Sequence, residues 1–418
     1  MPIKMPELLA PAGNFEKLII AVHYGADAVY LGNQEYSLRA HASNFSDEEL
    51  EAAVCYAHDH GVKAYVTVNI FARNHDLERL ADHLCYLQNI RVDGIIIADP
   101  GIFRVARQVV PGMPVHLSTQ ANVTNAEQAL FWQDHGIRRI NLARELELSE
   151  IAAIKKATSL EVEVFVHGAI CISYSGRCLL SHYFTGRDAN HGDCAQPCRY
   201  FYALAEEKRP GLFFPIEEDR RGTYILNARD LCLINRLPEL VLAGVDSVKI
   251  EGRMKGIYYV GSVVRVYRAA LDFLAGMDTE VWQRPSGESA LVPGIFLEEL
   301  ARVGTRGYTE NFLTGPPGPQ SMLYDAPREK QQSILAGVVL TPGPEPQIEA
   351  RNPLRPGEQI EYLGKGITAL PFTIKELRNS EGICLAQANP GDRVFMRAQG
   401  CLPTLEKNGL LRTCSKIK

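Results

Sequence analysis

"AGVDSVKIEG" (residues 243–252) sets a glycine turn directly before a short apolar strand. The same phrase, a glycine or turn running into a buried strand, recurs in "GADAVYLG" (25–32), "RVDGIIIAD" (91–99) and "HGIRRINLAR" (135–144). Each reads as the end of a helix turning tightly into the next strand. Four more strand candidates fill the intervals: "ELLAP" (7–11), "KAYVTVNI" (63–70), "PVHLSTQ" (114–120) and "EVEVFVHG" (161–168). Most of the eight are apolar nearly throughout, the pattern of parallel strands buried on both faces. Eight βα units of this size predict a (β/α)8 TIM-like barrel of α/β class. The competing architecture, a doubly wound open sheet, lacks its G-x-G-x-x-G after the first strand.

Between the strands lie helix signatures. "SDEELEAAVCYAHDHG" opens on a Ser46-to-Glu49 capping box and stops at Gly61. In "DLERLADHLCYLQNI" the spacing predicts Leu77, Leu80, Leu84 and Leu87 on one helical face. "IYYVGSVVRVYRAALDFLAG" (257–276) reads as the helix that closes the barrel.

The connection from the seventh to the eighth strand is far longer than an ordinary loop plus one helix. It holds a cysteine cluster, a hairpin in "YFYALAEEKRPGLFFPIEEDRRGTYIL" and a helix near "LINRLPELVLAG". From about residue 332 short β-like runs with turns predict a small β-barrel. The expected organisation is a barrel domain over 1–280 with an insertion at 168–245, a connecting segment over 281–330, and a β-rich domain over 331–418.

The 418 residues are 46% hydrophobic and 22% charged, ordinary for a soluble folded protein. A net charge of -5 gives no global basic field for nucleic acid, so any RNA surface must be local. No apolar run reaches the ~18 residues needed to span a bilayer, and the N-terminal "MPIKMPELLAPAGNF" has no signal-peptide core. The expectation is a cytoplasmic protein with no membrane partner, where clustered cysteines bind metal or do redox work more often than they form disulfides.

In a barrel of this kind the active site collects at the C-terminal ends of the strands. That rule nominates Asn69, Asp99, Gln120, Arg144, Glu145, His167, Glu251 and Arg253. For Asp99, before Pro100, and for Glu145, near a helix start, helix capping competes evenly with chemistry. His167 and Arg253 lie beside glycines and the long insertion.

Cys171, Cys178, Cys194 and Cys198 follow C-x6-C-x15-C-x3-C within a polar, glycine-containing stretch. Only the second pair fits a zinc knuckle, and no ferredoxin run matches. A metal site is favoured over incidental thiols, with iron–sulfur and zinc both open. Cys232 in "NARDLCLIN" is a fifth candidate for which packing is a plausible alternative, and Cys55, Cys85, Cys384, Cys401 and Cys414 read as incidental. There is no H-E-x-x-H, no Walker A loop, and "SYSGR" around Ser175 is not a nucleophile elbow.

"ELLAPAGNFEKL", "YGADAVYLGNQEYSLRA", "EVFVHGAICISYSGRCLLSHYFTGRDANHGDCAQPCR", "SVKIEGRMKGIYYV" and "RGYTENF" together resemble the peptidase U32 family. Within it the chain is most similar to the prephenate-dependent tRNA uridine(34) hydroxylase group, from about residue 6 to 315, with a C-terminal segment like that group's. The resemblance implies an enzyme forming 5-hydroxyuridine at the tRNA wobble position without oxygen, with prephenate as carboxylate co-substrate and an electron donor as further partner. It also implies a [4Fe–4S] cluster on Cys171, Cys178, Cys194 and Cys198, with Cys232 as alternative ligand, while zinc stays the alternative metal that the spacing leaves open.

On that reading His167, Glu251, Arg253, Arg144 and Gln120 are the catalytic candidates. Arg144, Arg177 and Arg253 suit bidentate carboxylate or phosphate contacts. Tyr174, Tyr183 or Tyr200 would stack a splayed base, and Arg187, Arg199, Arg220 and Arg221 would face RNA, with loop packing and a solvated surface as the plain alternatives. The rival readings are a U32-type, collagenase-like peptidase, a hydroxylase of another RNA, and a non-catalytic RNA-binding partner with a structural metal.

Overall fold

The structure, a computed structural model, describes residues 4–37, 44–170, 179–189, 193–197, 203–205, 213–215, 227–278, 282, 292–305, 307–315, 322–323, 332–400 and 403–414. Seven parallel strands, β1 (Glu7–Pro11), β2 (Ala28–Gly32), β3 (Lys63–Val68), β4 (Gly94–Ile97), β5 (Val115–Leu117), β6 (Arg139–Asn141) and β7 (Glu161–Gly168), lie in chain order. Three short strands follow, β8 (Ala203–Ala205), β9 (Phe213–Pro215) and β10 (Asn227–Ala228), then β11 (Asp230–Cys232) and β12 (Ser247–Ile250). β12 pairs in parallel with both β7 and β1, which closes an eight-stranded parallel barrel. Each of the eight strands lies within its expected segment, most of them ending a residue or more early.

The repeated phrase has a physical basis. Gly25, Gly136 and Gly244 each turn the chain with φ near +85° (91°, 83° and 80°), and Arg91 holds the same place at φ 61°. Left-handed backbone at a helix C-terminus is what glycine supplies without steric cost. The aspartate after the turn does a second job. Asp27, Asp93 and Asp246 accept hydrogen bonds from the backbone N–H of Leu8, Ala64 and Val162 at the start of the neighbouring strand, at 2.8, 2.8 and 2.9 Å. Each carboxylate thereby fixes the register of one strand pair at the N-terminal end of the barrel.

The capping box at Ser46 forms as expected, and Leu50, Ala53, Val54 and Ala57 bury one face of the helix Asp47–Asp59. The leucine face is shorter than expected. The helix runs Leu80–Asn89, and Leu77 ends a separate 3-10 turn, Asn74–Leu77, where the Asp76 carboxylate accepts from Arg73 N at 2.7 Å. Cys55 and Cys85 are exposed on these two helices.

Within the long connection β8 and β9 pair as an antiparallel hairpin, and the helix Leu237–Leu242 forms as expected. The unforeseen element is β11, which runs antiparallel to the end of β7 and pairs Cys232 with His167. It also pairs in parallel with β13 (Tyr308–Thr309), while β10 pairs with β14 (Met322–Leu323).

Chain contacts group residues 1–15, 27–254 and 306–329 in one compact unit and residues 16–26, 255–305 and 330–418 in another. The second unit carries the helices Ile257–Ala275 and Gly294–Ala301 and the strands β15 (Leu335–Thr341), β16 (Gln347–Ala350), β17 (Gln359–Leu363), β18 (Leu370–Arg378), β19 (Cys384–Leu385), β20 (Arg393–Gln399) and β21 (Leu410–Thr413). The order β17-β21-β15-β16-β20-β18, closed by β17 on β18, makes a six-stranded antiparallel barrel filled by Val339, Ile348, Ile360, Phe372, Ile374 and Met396. No helix among the described residues is long and apolar enough to cross a membrane.

Candidate functional site at the barrel mouth

Inward positions alternate along each strand, so the registers define what lines the barrel. Leu9, Tyr65, His116 and Glu163 form one layer from alternate strands, and Tyr30, Ile96, Asn141 and Lys249 form the next layer toward the C-terminal ends. Half of these eight side chains are charged or strongly polar. Lys249 donates from Nζ to Glu163 Oε1 at 2.8 Å, and its ammonium lies 4.6 Å from the Tyr30 ring centroid. Arg139 donates from Nη1 to Glu7 (2.6 Å) and Glu163 (3.3 Å) and from Nε to Glu161 (2.9 Å). Burial alone would raise the Glu7 pKa, but the hydrogen bond and charge of Arg139 reverse this and hold the carboxyl below its usual range. Burial lowers the Lys249 pKa, with Glu163 opposing it. Burial, reinforced by Arg139 and Lys249, holds His116 neutral.

These residues were missed in the sequence although a signal existed. Glu163, Lys249 and Arg139 are charges at inward positions of otherwise apolar strands, and a buried charge requires a partner.

Above this floor sit the residues nominated from strand ends. Arg253 is buried and donates from Nη1 to Ser37 Oγ (2.8 Å) and Thr67 Oγ1 (2.9 Å). Gly32, at the end of β2, makes this possible, because a Cβ there would collide with the Arg253 guanidinium and lie 2.6 Å from Ser37 Oγ. Asn69 and Gln120 bind each other: Asn69 Nδ2 donates to Gln120 Oε1 at 2.9 Å, and Gln120 Nε2 donates to the Asn69 carbonyl at 3.2 Å. Ser118 Oγ donates to the same Gln120 Oε1 at 2.7 Å, so the amide is fixed from three sides.

Arg144 lies over the Phe165 ring at 4.0 Å and donates from Nη1 to the Ala169 carbonyl at 3.1 Å, while its buried Nε has no hydrogen-bond partner. Glu145 beside it has a buried, unpartnered Oε2, and burial pushes its pKa up. His167, only 1% exposed, has its ring 5.4 Å from Tyr308 and its carbonyl accepts from Glu251 N at 2.9 Å.

Asp99 takes the capping role: its Oδ1 accepts from Gly101 N (2.7 Å) and Ile102 N (3.0 Å) and starts the helix Pro100–Val109. Glu145 does not cap, since Glu147 holds that position for the helix Leu148–Ala157.

Of the cysteine cluster, Cys194 is described, while Cys171, Cys178 and Cys198 lie outside the described residues, as do Tyr174, Arg177, Arg199, Tyr200, Arg220 and Arg221. Cys194 is half-buried and its Sγ accepts from Gln196 N at 3.4 Å. Its neighbour Ala195 donates from N to Ser181 Oγ at 2.9 Å, which ties the cysteine loop to the short helix Leu180–Thr185. Cys232, buried on β11, stands opposite His167 on the neighbouring strand. Directly opposed residues of an antiparallel pair project to the same face of the sheet. Among the described residues no group of three or more His, Cys, Asp or Glu side chains is placed to hold a metal ion.

Comparison with known proteins adds to this geometry. The model of peptidase family U32 matches residues 13–323. A Bacillus subtilis (strain 168) protein named tRNA hydroxylation protein P1 is 41% identical over 383 residues, 91% of this chain and 88% of that protein. The Escherichia coli (strain K12) tRNA hydroxylation protein P is 35% identical over 93% of this chain and 92% of its own length. The 23S rRNA 5-hydroxycytidine C2501 synthase of the same strain is 35% identical over 77% of this chain, a match that spans 47% of that larger protein. On the family match and on relatives above 30% identity that span most of its length, the chain belongs to peptidase family U32.

Proposed function

We propose that this chain is an RNA hydroxylase, and that it forms 5-hydroxyuridine at the wobble position of tRNA without molecular oxygen. The observation that carries the reading is the two-sided coverage: relatives named for tRNA hydroxylation align over about nine-tenths of both chains. The relative named for 5-hydroxycytidine in 23S rRNA makes hydroxylation of another RNA the nearest alternative. A C5 atom inside a stacked base is out of an enzyme's reach, so the target nucleotide must be splayed out of its loop and into the barrel mouth.

The described residues have roles that follow from their chemistry. Arg253, fixed by Ser37 and Thr67, offers a positioned cation for a carboxylate or phosphate. Arg144 supplies a second cation with an unmet Nε donor beside the Phe165 ring. Prephenate, implied by the resemblance to prephenate-dependent hydroxylases, is the proposed co-substrate, and these two cations suit its two carboxylates. Gln120, locked by Asn69 and Ser118, and His167 on β7 complete the polar lining, with Glu251 following β12.

The proposal includes a [4Fe–4S] cluster on Cys171, Cys178, Cys194 and Cys198, with Cys232 as the alternative fourth ligand. Thiolate donors suit iron–sulfur or zinc over hard cations. The N–H···S contact to Cys194 is one lever by which proteins tune such a site. When bound, the cluster would supply one-electron chemistry at the mouth, primed by an external electron donor. Replacing C5–H by C5–OH is a two-electron oxidation of the base, so the co-substrate would serve as the oxidant, giving up a hydroxyl group and taking the C5 hydrogen in return.

Two measurements test the reading. Expression in an Escherichia coli strain lacking its own tRNA hydroxylation protein P should restore hydroxylated wobble uridine by nucleoside mass spectrometry, and Cys194→Ser should abolish the gain. Protein purified without oxygen should carry about four iron and four sulfide per chain, whereas stoichiometric zinc overturns the cluster. One feature favours the peptidase rival, the buried Cys232 opposite His167. Peptide hydrolysis that Cys232→Ser removes, with hydroxylation absent, would establish it.

A further inference from the structure

We propose that Tyr183 and Phe184, on the helix Leu180–Thr185, form a platform that stacks unpaired bases of an RNA loop beside the barrel mouth. The inference rests on the RNA reading above and names where the substrate lands. Tyr183 is 83% exposed, Leu179 69% and Phe184 48%, and the two rings meet edge to face with centroids 5.3 Å apart. Three neighbouring large apolar side chains held in water are unusual on a folded surface and mark a contact site. Loop packing, the plain alternative for Tyr183, does not describe a ring this open.

The exposure is built in. Ser181 is fully buried in this short helix, about 160° round the axis from Tyr183, where its Oγ accepts from Ala195 N (2.9 Å) and its carbonyl accepts from Thr185 Oγ1 (2.7 Å). Gly186 ends the helix in the left-handed conformation at φ 71°, and Arg187 Nε returns to Asp193 Oδ1 at 2.5 Å. These ties turn Ser181 inward and leave Tyr183 outward, with Phe184 at the flank of the helix.

Place and charge identify the occupant. Arg73, in the loop after β3 at the C-terminal end of the barrel, makes a 3.8 Å ion pair with Asp188 just past the helix, which sets the platform at the mouth. Residues 179–187, "LLSHYFTGR", contain no carboxylate and carry His182 and Arg187. The nearby carboxylates Asp188 and Asp193 are engaged by Arg73 and Arg187. The Arg73 side chain is 68% exposed and loosely paired, free to turn to a phosphate. Exposed aromatic faces beside a cation that can leave a loose ion pair for a phosphate are how proteins hold single-stranded nucleic acid without reading its sequence. An apolar protein partner would not call for the loosely paired Arg73, and an acidic one would not call for the rings.

The test is fluorescence anisotropy of the full-length protein with a labelled RNA hairpin whose loop carries a central uridine. Tyr183→Ala and Phe184→Ala should each weaken binding by about fivefold to a hundredfold, the range for one lost stacking contact. Tyr183→Phe should bind within about twofold of wild type, because the ring is kept, whereas Tyr183→Leu should bind as poorly as the alanine variant. Arg73→Ala should lower the salt slope by about one. All three side chains are exposed, so thermal melting should not move. Wild-type binding to the hairpin with Tyr183→Ala and Phe184→Ala unchanged overturns the platform and leaves the RNA reading standing. Failure of the wild-type protein to bind the hairpin overturns both. Tyr183→Ala losing affinity for phosphatidylglycerol vesicles but not for RNA assigns the face to a lipid surface and overturns the proposal.

Discussion

Among the described residues one cluster of charge is buried inside the parallel barrel and another in the second unit, and they are satisfied to different degrees. In the second unit Glu299 accepts from Arg265 Nη1 (3.0 Å) and from Arg412 Nη1 (2.9 Å) and Nη2 (2.8 Å). The remaining nitrogens of Arg265 go to the carbonyls of Gly364, Gly366 and Ile367 at 2.6–2.8 Å, and Arg412 Nε goes to Glu361 at 2.6 Å. Such a saturated cluster fixes the loop after β17 in one arrangement. In the parallel barrel Glu163 shares a short contact to Lys249 and a long one to Arg139, while His116 Nδ1 and both amide atoms of Asn141 have no hydrogen-bond partner. Unmet buried polar atoms cost stability. Proteins break the rule of satisfied polar groups chiefly where function asks for it. The cluster of the second unit holds a fold together, and that of the parallel barrel lies beneath the mouth proposed to bind RNA.

The largest effect that would break this contrast is in the saturated cluster. Glu299→Ala leaves two guanidinium groups buried without their carboxylate and should cost the second unit about 5 kcal/mol, read by denaturant unfolding. Burial would raise the Glu299 pKa, but Arg412 and Arg265 reverse this and hold it low. A carboxyl lowered on folding stabilises above its unfolded pKa and loses that contribution as pH falls. Acid unfolding of this unit should therefore set in below about pH 4.5, and Glu299→Gln should flatten the pH dependence.

In the barrel Glu163→Ala should cost about 3 kcal/mol, whereas the paired change Glu163→Leu with Lys249→Met should recover most of it, because the unpaired ammonium goes too. A double variant no better than the single one would show the network to be worth more than its one ion pair.

Next comes Gly32→Ala, whose methyl takes the place of the Arg253 guanidinium. It should lower RNA hydroxylation about 100-fold, as expected when a positioning group moves by about an ångström. The smallest effect is at Asp99. Loss of the cap in Asp99→Ala should cost about 1 kcal/mol and leave hydroxylation unchanged, which separates the capping aspartate from the residues of the mouth.

Much of the barrel could be read from the sequence because local signals and the fold agree. The glycine or Arg91 at each turn, the buried apolar strands and the Ser46 box all point the same way. The short strand β11 escaped because it exists through pairing with β7 and β13, partners distant in the chain. Position at a strand end did not sort the site residues. Asp99 binds its own helix and Gln120 binds Asn69, outcomes fixed by side-chain reach across loops. The inward charges Glu163, Arg139 and Lys249 were legible in principle, since each sits at an inward place in an apolar strand. The spacing of the cysteines leaves the metal open, because C-x6-C-x15-C-x3-C matches neither a paired zinc knuckle nor a ferredoxin run.

The central claim is that the barrel mouth hydroxylates RNA. Nucleoside mass spectrometry of tRNA from an Escherichia coli strain lacking its own tRNA hydroxylation protein P, complemented with wild-type or Arg253→Ala protein, tests it most directly. Hydroxylated wobble uridine should return with the wild-type chain and not with Arg253→Ala at equal protein level. Soluble wild-type protein that restores no hydroxylated nucleoside, or an Arg253→Ala variant that restores it in full, would contradict it.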